Sequence, residues 1–154
     1  MADSIRELIQ KDIDTTLKTI SKDNGYSNDI VSVQRFKQQG NSFAKCPVIV
    51  QYAGDETKEP GPAPMTSCTF PVYIGIFIKH DSNADSKDTD ELINSFLADI
   101  EKALMIDVTR GGYAESTFCT GNSIFQTAEG QANAGIFIEV EIIYNHYRND
   151  PAQN

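Results

Sequence analysis

The C-terminal residues 135–148 have the pattern of one continuous β-strand of unusual length. Side chains alternate with a period of two, which is typical of a strand with one buried face. The segment would span roughly 46 Å at about 3.3 Å per residue, whereas a chain of this length forms a globule about 40 Å across. The strand therefore predicts a contact beyond one compact monomer. Its two faces are Ile136, Ile138, Val140, Ile142 and Tyr144, and Phe137, Glu139, Glu141, Ile143 and Asn145.

Length and composition fit one globular domain over residues 1–154. Apolar residues make up 40% of the 154 and charged residues 23%, which is an ordinary globular balance. The net charge of −9 argues against a protein that grips nucleic acid, because phosphate binding requires a basic face. An acidic chain is compatible with DNA passing close by without being held, and acidity for solubility is the alternative.

The sequence also bears on membranes and location. No run approaches the roughly 20 apolar residues of a membrane span, and the first residues lack the basic-then-apolar order of a signal peptide. We therefore expect a soluble protein in the cytoplasm, with no membrane partner.

Two amphipathic helices are predicted. In residues 4–21, Ser4 precedes Glu7 by three positions, which is a capping-box pattern, and Asn24-Gly25 provides a stop. Residues 88–104 form the second helix, with acidic residues in its first turn. The apolar stripes are Ile5, Leu8, Ile9, Ile13, Leu17 and Ile20, and Leu92, Ile93, Phe96, Leu97, Ile100 and Leu104.

Alternating segments predict five strands. Because both helices have a single apolar face, the simplest packing places them on one face of a mostly antiparallel sheet. This is an α+β two-layer sandwich with the order α-β-β-β-α-β-β. The strands are predicted at 30–36, at 46–52, at 65–80 with Pro71 marking an edge or bulge, within 116–127, and at 135–148.

Two segments are predicted to lie outside the sheet. Residues 53–64 contain three prolines and two glycines, which favours an exposed loop without strand pairing. Asp150-Pro151 ends the last strand, and residues 151–154 are predicted to be frayed.

The chain lacks the usual catalytic signatures. It has no glycine-rich phosphate loop, no Gly-x-Ser-x-Gly elbow and no His-Glu-x-x-His helix. Arg110-Gly-Gly fits a turn after a helix better than a phosphate nest. We predict no catalytic, metal or cofactor site.

Potential metal ligands are scattered along the chain. Buried thiols are the simpler explanation of the cysteines, and the acidic residues lack the spacing of a calcium loop. These residues are Cys46, Cys68, Cys119, His80 and His146, and Asp81, Asp85, Asp88, Asp90 and Glu91.

Aromatic and apolar residues recur on the strand faces opposite the core stripe. If both helices cover one face, these side chains form a patch on the other, and such a patch indicates a partner. The alternative is a loop folded over it. The residues are Tyr73, Phe77, Phe137, Ile143 and Tyr147.

Three stretches carry a resemblance to a known family. They are residues 4–21, residues 99–107 followed by Arg110-Gly-Gly-Tyr113, and residues 140–151, which close on Tyr-Asn-His-Tyr-Arg-Asn-Asp-Pro. With the element order and the acidic charge, they resemble the tail terminator (tail completion) proteins of long-tailed bacteriophages. The resemblance implies a structural virion protein without enzymatic activity, assembled in the host cytoplasm.

Proteins of that family form a hexameric ring that caps the tail tube, stops its polymerisation and joins the tail to the head connector or head-closure protein. The partners implied are therefore further copies of the chain, the tube protein and the connector, with DNA passing through without specific binding. The predicted interface residues are Glu56, Lys58, Tyr73, Phe77, Arg110, Tyr113, Phe137, Ile143, Tyr147 and Arg148.

Two other interpretations remain open at this point. One is another neck or tail component, such as a head-closure or tail-tube protein. The other is a small enzyme or ligand-binding α+β domain with its site in the open sheet face.

Overall fold

A computed structural model describes residues 2–35, 47–79, 86–125 and 133–154. The predicted Cys46, His80, Asp81 and Asp85 lie outside these residues. No helix in the described part of the chain is long and apolar enough to cross a membrane. The elements are α1 (Ile5–Leu17), a 3₁₀ turn (Lys22–Asn24), β1 (Ser32–Arg35), β2 (Val48–Ala53), β3 (Thr57–Pro60), β4 (Met65–Lys79), α2 (Ser86–Met105), β5 (Ser116–Phe125) and β6 (Asn133–Tyr147).

The predicted α+β class is confirmed. The six strands form one sheet in the order β1-β2-β4-β6-β5, and β3 pairs with β4 beyond the end of β2. Among the strands of the described residues, the β1–β2 pair is parallel and the other pairs are antiparallel. The observed order therefore contains one more strand before α2 than the sequence predicts.

Both helices pack on the same face of the sheet. Their apolar stripes meet the even-numbered residues of β4 and β6, because side chains two apart on a strand share a face. The core residues on this face include Ile5, Ile9, Ile13 and Leu17 of α1, Ile93, Phe96, Ile100 and Leu104 of α2, and Phe70, Val72, Ile74, Ile76, Ile136, Ile138, Val140, Ile142 and Tyr144 of the sheet.

The first helix begins as predicted and ends early. The Ser4 hydroxyl accepts a hydrogen bond from the Glu7 amide at 3.2 Å. The helix stops at Leu17 rather than at residue 21, because the next backbone hydrogen bonds join residues three apart instead of four. The Ile20 amide, for example, donates to the Leu17 carbonyl at 3.2 Å. Gly25, at φ +86°, ends the 3₁₀ turn that follows.

The long last strand has a partner of equal length within the chain. β4 and β6 each contain 15 residues and pair without interruption from Met65 opposite Tyr147 to Lys79 opposite Asn133. The length of β6 is therefore accommodated within one chain, and the predicted contact with a second chain stays a prediction. The globule estimate assumes equal dimensions in all directions, whereas a two-stranded ladder is long in one direction.

The predicted loop at residues 53–64 contains a strand. β3 pairs with β4 from Thr57 opposite Thr69 to Pro60 opposite Thr66, so the prediction of an unpaired loop is wrong for these four residues. Proline is tolerated because β3 is an edge strand and Pro60 is its last residue. Pro71, predicted at an edge or bulge, lies where the ladder passes from β2 to β3, and its carbonyl accepts from the Gly54 amide at 2.8 Å.

The C-terminal tail is hydrogen-bonded rather than frayed. The Pro151 carbonyl accepts from the Ile5 amide at 2.9 Å, and the Gln153 carbonyl accepts from the Tyr147 amide at 2.9 Å. The tail therefore joins the end of β6 to the start of α1, contrary to the prediction.

Candidate interaction surface

The sheet face opposite the helices carries five of the ten predicted interface residues. We call this face, formed by the odd-numbered residues of β4 and β6 with their neighbours on β2, β3 and β5, the open face. Its cross-strand rows are Tyr52, Tyr73, Glu139 and Gly121; Pro71, Glu141 and Phe118; and Thr69, Ile143 and Ser116. The period-2 prediction that Tyr73, Phe137, Ile143 and Tyr147 share a face is confirmed by this register.

One end of the open face is buried. Val48 and Phe77 are 2% and 3% exposed, and the Phe77 and Phe137 rings meet edge to face with centroids 5.8 Å apart. Gly135 lies opposite Phe77, and Gly75 opposite Phe137. The assignment of Phe77 to a partner interface is therefore wrong.

The rest of the open face is accessible. Tyr73, Phe137 and Ile143 are half-buried, while Phe118 is 63% and Tyr147 is 38% exposed. Aromatic and aliphatic side chains in this arrangement form a surface that a protein partner would bury. The contact itself stays a prediction.

The described strand edges differ in their protection against pairing with another chain. β1 has four residues and includes Arg35, and β3 has four that include Lys58, Glu59 and Pro60. Short length, charge and proline are features that keep an edge from pairing. β5 runs for ten residues without a charge or a proline, and its Phe118 and Ile124 are 63% and 60% exposed. β5 has none of these three features, and its pairing with β6 has a bulge between Cys119 and Gly121. We call β5 the unprotected edge.

Arg110 lies inside the chain, not on its surface. Its side chain is 0% exposed, its Nη2 donates to the carbonyl oxygens of Leu104 and Asp107, and its Nη1 lies 3.3 Å from Asp12 Oδ2. Burial lowers the pKa of Arg110 and raises that of Asp12. The assignment of Arg110 to an interface is therefore wrong.

The predicted turn after α2 is confirmed. Arg110, Gly111 and Gly112 all have positive φ, at 50°, 71° and 93°. The Gly111 amide donates to Asp107 Oδ2 at 2.8 Å, and the Gly112 amide donates to the Thr109 carbonyl at 3.0 Å. Both glycine amides are thus bonded within the chain, which argues against a phosphate nest. The adjacent Tyr113, a predicted interface residue, is half-buried.

Glu56 points inward and anchors β3 to the sheet. One carboxylate oxygen accepts from the Tyr144 hydroxyl at 2.7 Å and from Arg6 Nη1 at 3.1 Å, and the other lies 3.3 Å from Lys58 Nζ. Lys58 Nζ also lies 3.2 Å from Nε2 of the buried His146. We call these five side chains the Glu56 network. Its role is structural, so the assignment of Glu56 to an interface is wrong.

Burial and hydrogen bonding shift the titration of this network. Burial raises the pKa of Glu56, but hydrogen bonds from Tyr144, Arg6 and Lys58 outweigh it and hold that pKa below 4.5. Burial, followed by the hydrogen bond to Glu56, raises the pKa of Tyr144. Burial likewise raises the pKa of the neighbouring thiol of Cys68, which is 0% exposed and therefore inert as a nucleophile.

Replacing Glu56 with glutamine is expected to lower the free energy of unfolding by about 1.5–3 kcal/mol at pH 7, because hydrogen bonds to a buried charge are lost. The wild-type contribution is present above pH 4.5 and is lost as the pH falls through the lowered pKa of Glu56. Urea unfolding at pH 7 and pH 3.5 should therefore show a smaller pH difference for the variant. The matched control is Glu59→Gln on the same strand, where the carboxylate is exposed; an equal effect there would contradict the anchoring role.

Arg148, the remaining predicted interface residue, is exposed at the end of the long ladder. Its Nε donates to the Met65 carbonyl at 3.0 Å, which places it beside Tyr147. Within the described ranges, no three His, Cys, Asp or Glu side chains converge as metal ligands would.

The unprotected edge is the feature that the sequence reasoning missed. The signal was present as ten residues without charge or proline at 116–125. No protein-family model matches the chain, and no curated protein matches it significantly.

Proposed function

We propose that this chain is a structural protein of a phage tail, of the tail terminator type. In this proposal, six copies form a ring that caps the tail tube, stops its polymerisation and joins the tail to the head connector. The chain acts as an assembly component of the virion and has no enzymatic activity.

The observation that carries the proposal is the unprotected edge of β5 beside the accessible part of the open face. An edge strand presents unpaired backbone N–H and C=O groups, and these pair readily with a strand of another chain. Natural domains usually avoid this exposure with charge or proline. Its retention here, next to exposed Phe118, supports a chain that functions in an assembly.

A ring requires two different surfaces on each copy, because its contacts are heterologous. In the proposed assembly the end of the open face near Ile143, Tyr147 and Arg148 contacts a different surface of the neighbouring copy. The β5 edge then stays available to another component of the tail. The net charge of −9 suits a lumen that DNA crosses without binding.

The principal competing function is a ligand-binding domain with its site in the open face. The groove there has a volume of about 230 Å³, which is below the roughly 300–1,000 Å³ of typical small-molecule sites. The side chains of the Glu56 network bond to one another. Both observations favour the assembly protein over the ligand-binding domain.

Light scattering on the purified chain tests the proposal directly. We expect a hexamer, or a monomer that assembles only when tube protein is added. The proposal would be overturned by a stable monomer that does not assemble when tube protein is added and whose melting temperature rises with a small ligand.

Charge placed on the open face should weaken the ring without unfolding the chain. Ile143→Asp and Tyr147→Asp are each expected to weaken assembly at least about tenfold, because a carboxylate would be buried at the contact. Both side chains are at least partly exposed in the monomer, so its circular dichroism and melting temperature should change little. Wild-type assembly in both variants would exclude this end of the face from the contact.

A further inference from the structure

The groove on the open face begins at Gly121 of the edge strand β5, a residue that has no side chain. Gly121 lies opposite Glu139, and Glu139 lies opposite Tyr73, so the three form one row from the sheet edge inward. Gly121, Tyr73, Phe137 and Glu139 line the groove, whose volume is about 230 Å³. A Cβ atom at Gly121 would meet nothing within 4 Å. Gly121 therefore adds no side chain to the groove, whose lining on β5 also includes Thr120, Asn122 and Ser123.

The chemistry of the groove selects for a cation. Glu139 is exposed and flanked by the half-buried rings of Tyr73 and Phe137, while Glu141 is exposed two residues further along. From the Tyr73 row to the Met65 row, the described strand residues of the open face include no lysine or arginine. Arg148 follows β6 at the far end of the face, beside Met65. An arginine guanidinium fits this combination of carboxylates and aromatic rings, because it pairs with carboxylates and stacks on aromatic faces.

The distance from the edge favours a long side chain. Neighbouring strands lie about 4.8 Å apart, so a strand added beside β5 would lie about 10 Å from β6 and Glu139. A side chain that crosses this distance must pass over β5, and Gly121 is the position where no side chain blocks it. Arginine has both the length and the charge.

We propose that the β5 edge receives an extended segment of a different protein, and that an arginine of this segment lies across Gly121 against Glu139. The inference rests on the proposed function, because it specifies the chemistry of one partner of the proposed assembly, the one bound at β5. It assigns Glu139 and Gly121 to recognition, with Tyr73 and Phe137 forming the walls of the site.

The described edge strands of the chain itself do not supply such an arginine. β1 places Ser32 and Gln34 on the open-face side, and its Arg35 lies on the helix side, bonded to Glu7 at 2.7 Å. Lys58 of β3 is likewise on the helix side, within the Glu56 network. A second copy therefore fits the groove less well than a basic segment of another protein.

The test uses two blocked, fluorescent nine-residue peptides of alternating threonine and valine, one with a central arginine and the other with a central glutamate. Fluorescence anisotropy should show the arginine peptide binding at least about tenfold more tightly, with affinity that falls as salt is added. Glu139→Gln and Gly121→Leu should each lower its affinity about tenfold or more, without change in melting temperature. Glu101→Gln, an exposed carboxylate on α2, is the matched control.

Equal binding of the two peptides, no binding of either, or an equal loss in Glu101→Gln would overturn the inference. Light scattering on the same samples separates this failure from that of the proposed function. If Glu139→Gln and Gly121→Leu dissociate a ring of the chain while neither peptide binds, the β5 edge joins copies of the chain. The assembly function would then stand and the arginine partner would not.

Discussion

Replacing Ile138 with aspartate is expected to unfold the chain. Ile138 lies at the centre of β6 on the helix face and is 1% exposed, with Ile74 as its cross-strand partner. An unpaired carboxylate at this depth costs several kcal/mol, and the loss of the buried isoleucine adds to that. A loss of about 5 kcal/mol or more approaches the whole stability of an ordinary domain.

Circular dichroism and urea unfolding at pH 7 measure this effect. Ile138→Val is the conservative control at the same position, with an expected loss of about 0.5–1.5 kcal/mol. Ile143→Asp is the matched control on the other face of the same strand, five residues away. If Ile138→Asp and Ile143→Asp unfold the chain alike, the accessible part of the open face is core, and the proposed contact between copies loses its basis.

The contrast between these two isoleucines was predictable from the sequence, because strand faces follow from a local period of two. The same reasoning located both helices and their buried stripes. β3 was not predictable in this way. Its residues Thr57–Pro60 have poor strand composition, and they pair only because β4 extends past the end of β2 and offers a free edge.

Burial of individual side chains was also only partly predictable. The period-2 pattern of β4 places Phe77 on the face opposite the helices and so predicts that it is exposed. The residue lies instead at the buried end of that face. Arg110 is predicted at an interface, but its side chain is fully buried, which is rare for an arginine. Its burial depends on an ion pair with Asp12, a residue 98 positions earlier in the sequence, and no local pattern encodes such a contact.

Replacing Arg110 with alanine is expected to lower the free energy of unfolding by about 3–5 kcal/mol. The side chain is 0% exposed and donates to the carbonyl of Leu104 in the last turn of α2. Carbonyls at a helix end have no partner within the helix, so the guanidinium supplies one. Its removal leaves these acceptors and Asp12 without a partner and leaves a cavity behind.

Urea unfolding of three variants separates the causes of this loss. Arg110→Met fills most of the volume without donating hydrogen bonds, so it should lie between the wild type and Arg110→Ala. Lys11→Ala removes a cation from the exposed ion pair with Asp3 and should leave stability unchanged within error, because solvent screens that pair. If Arg110→Ala costs less than about 1 kcal/mol, the guanidinium does not stabilise the end of α2, and the link from this turn to α1 through Asp12 is dispensable.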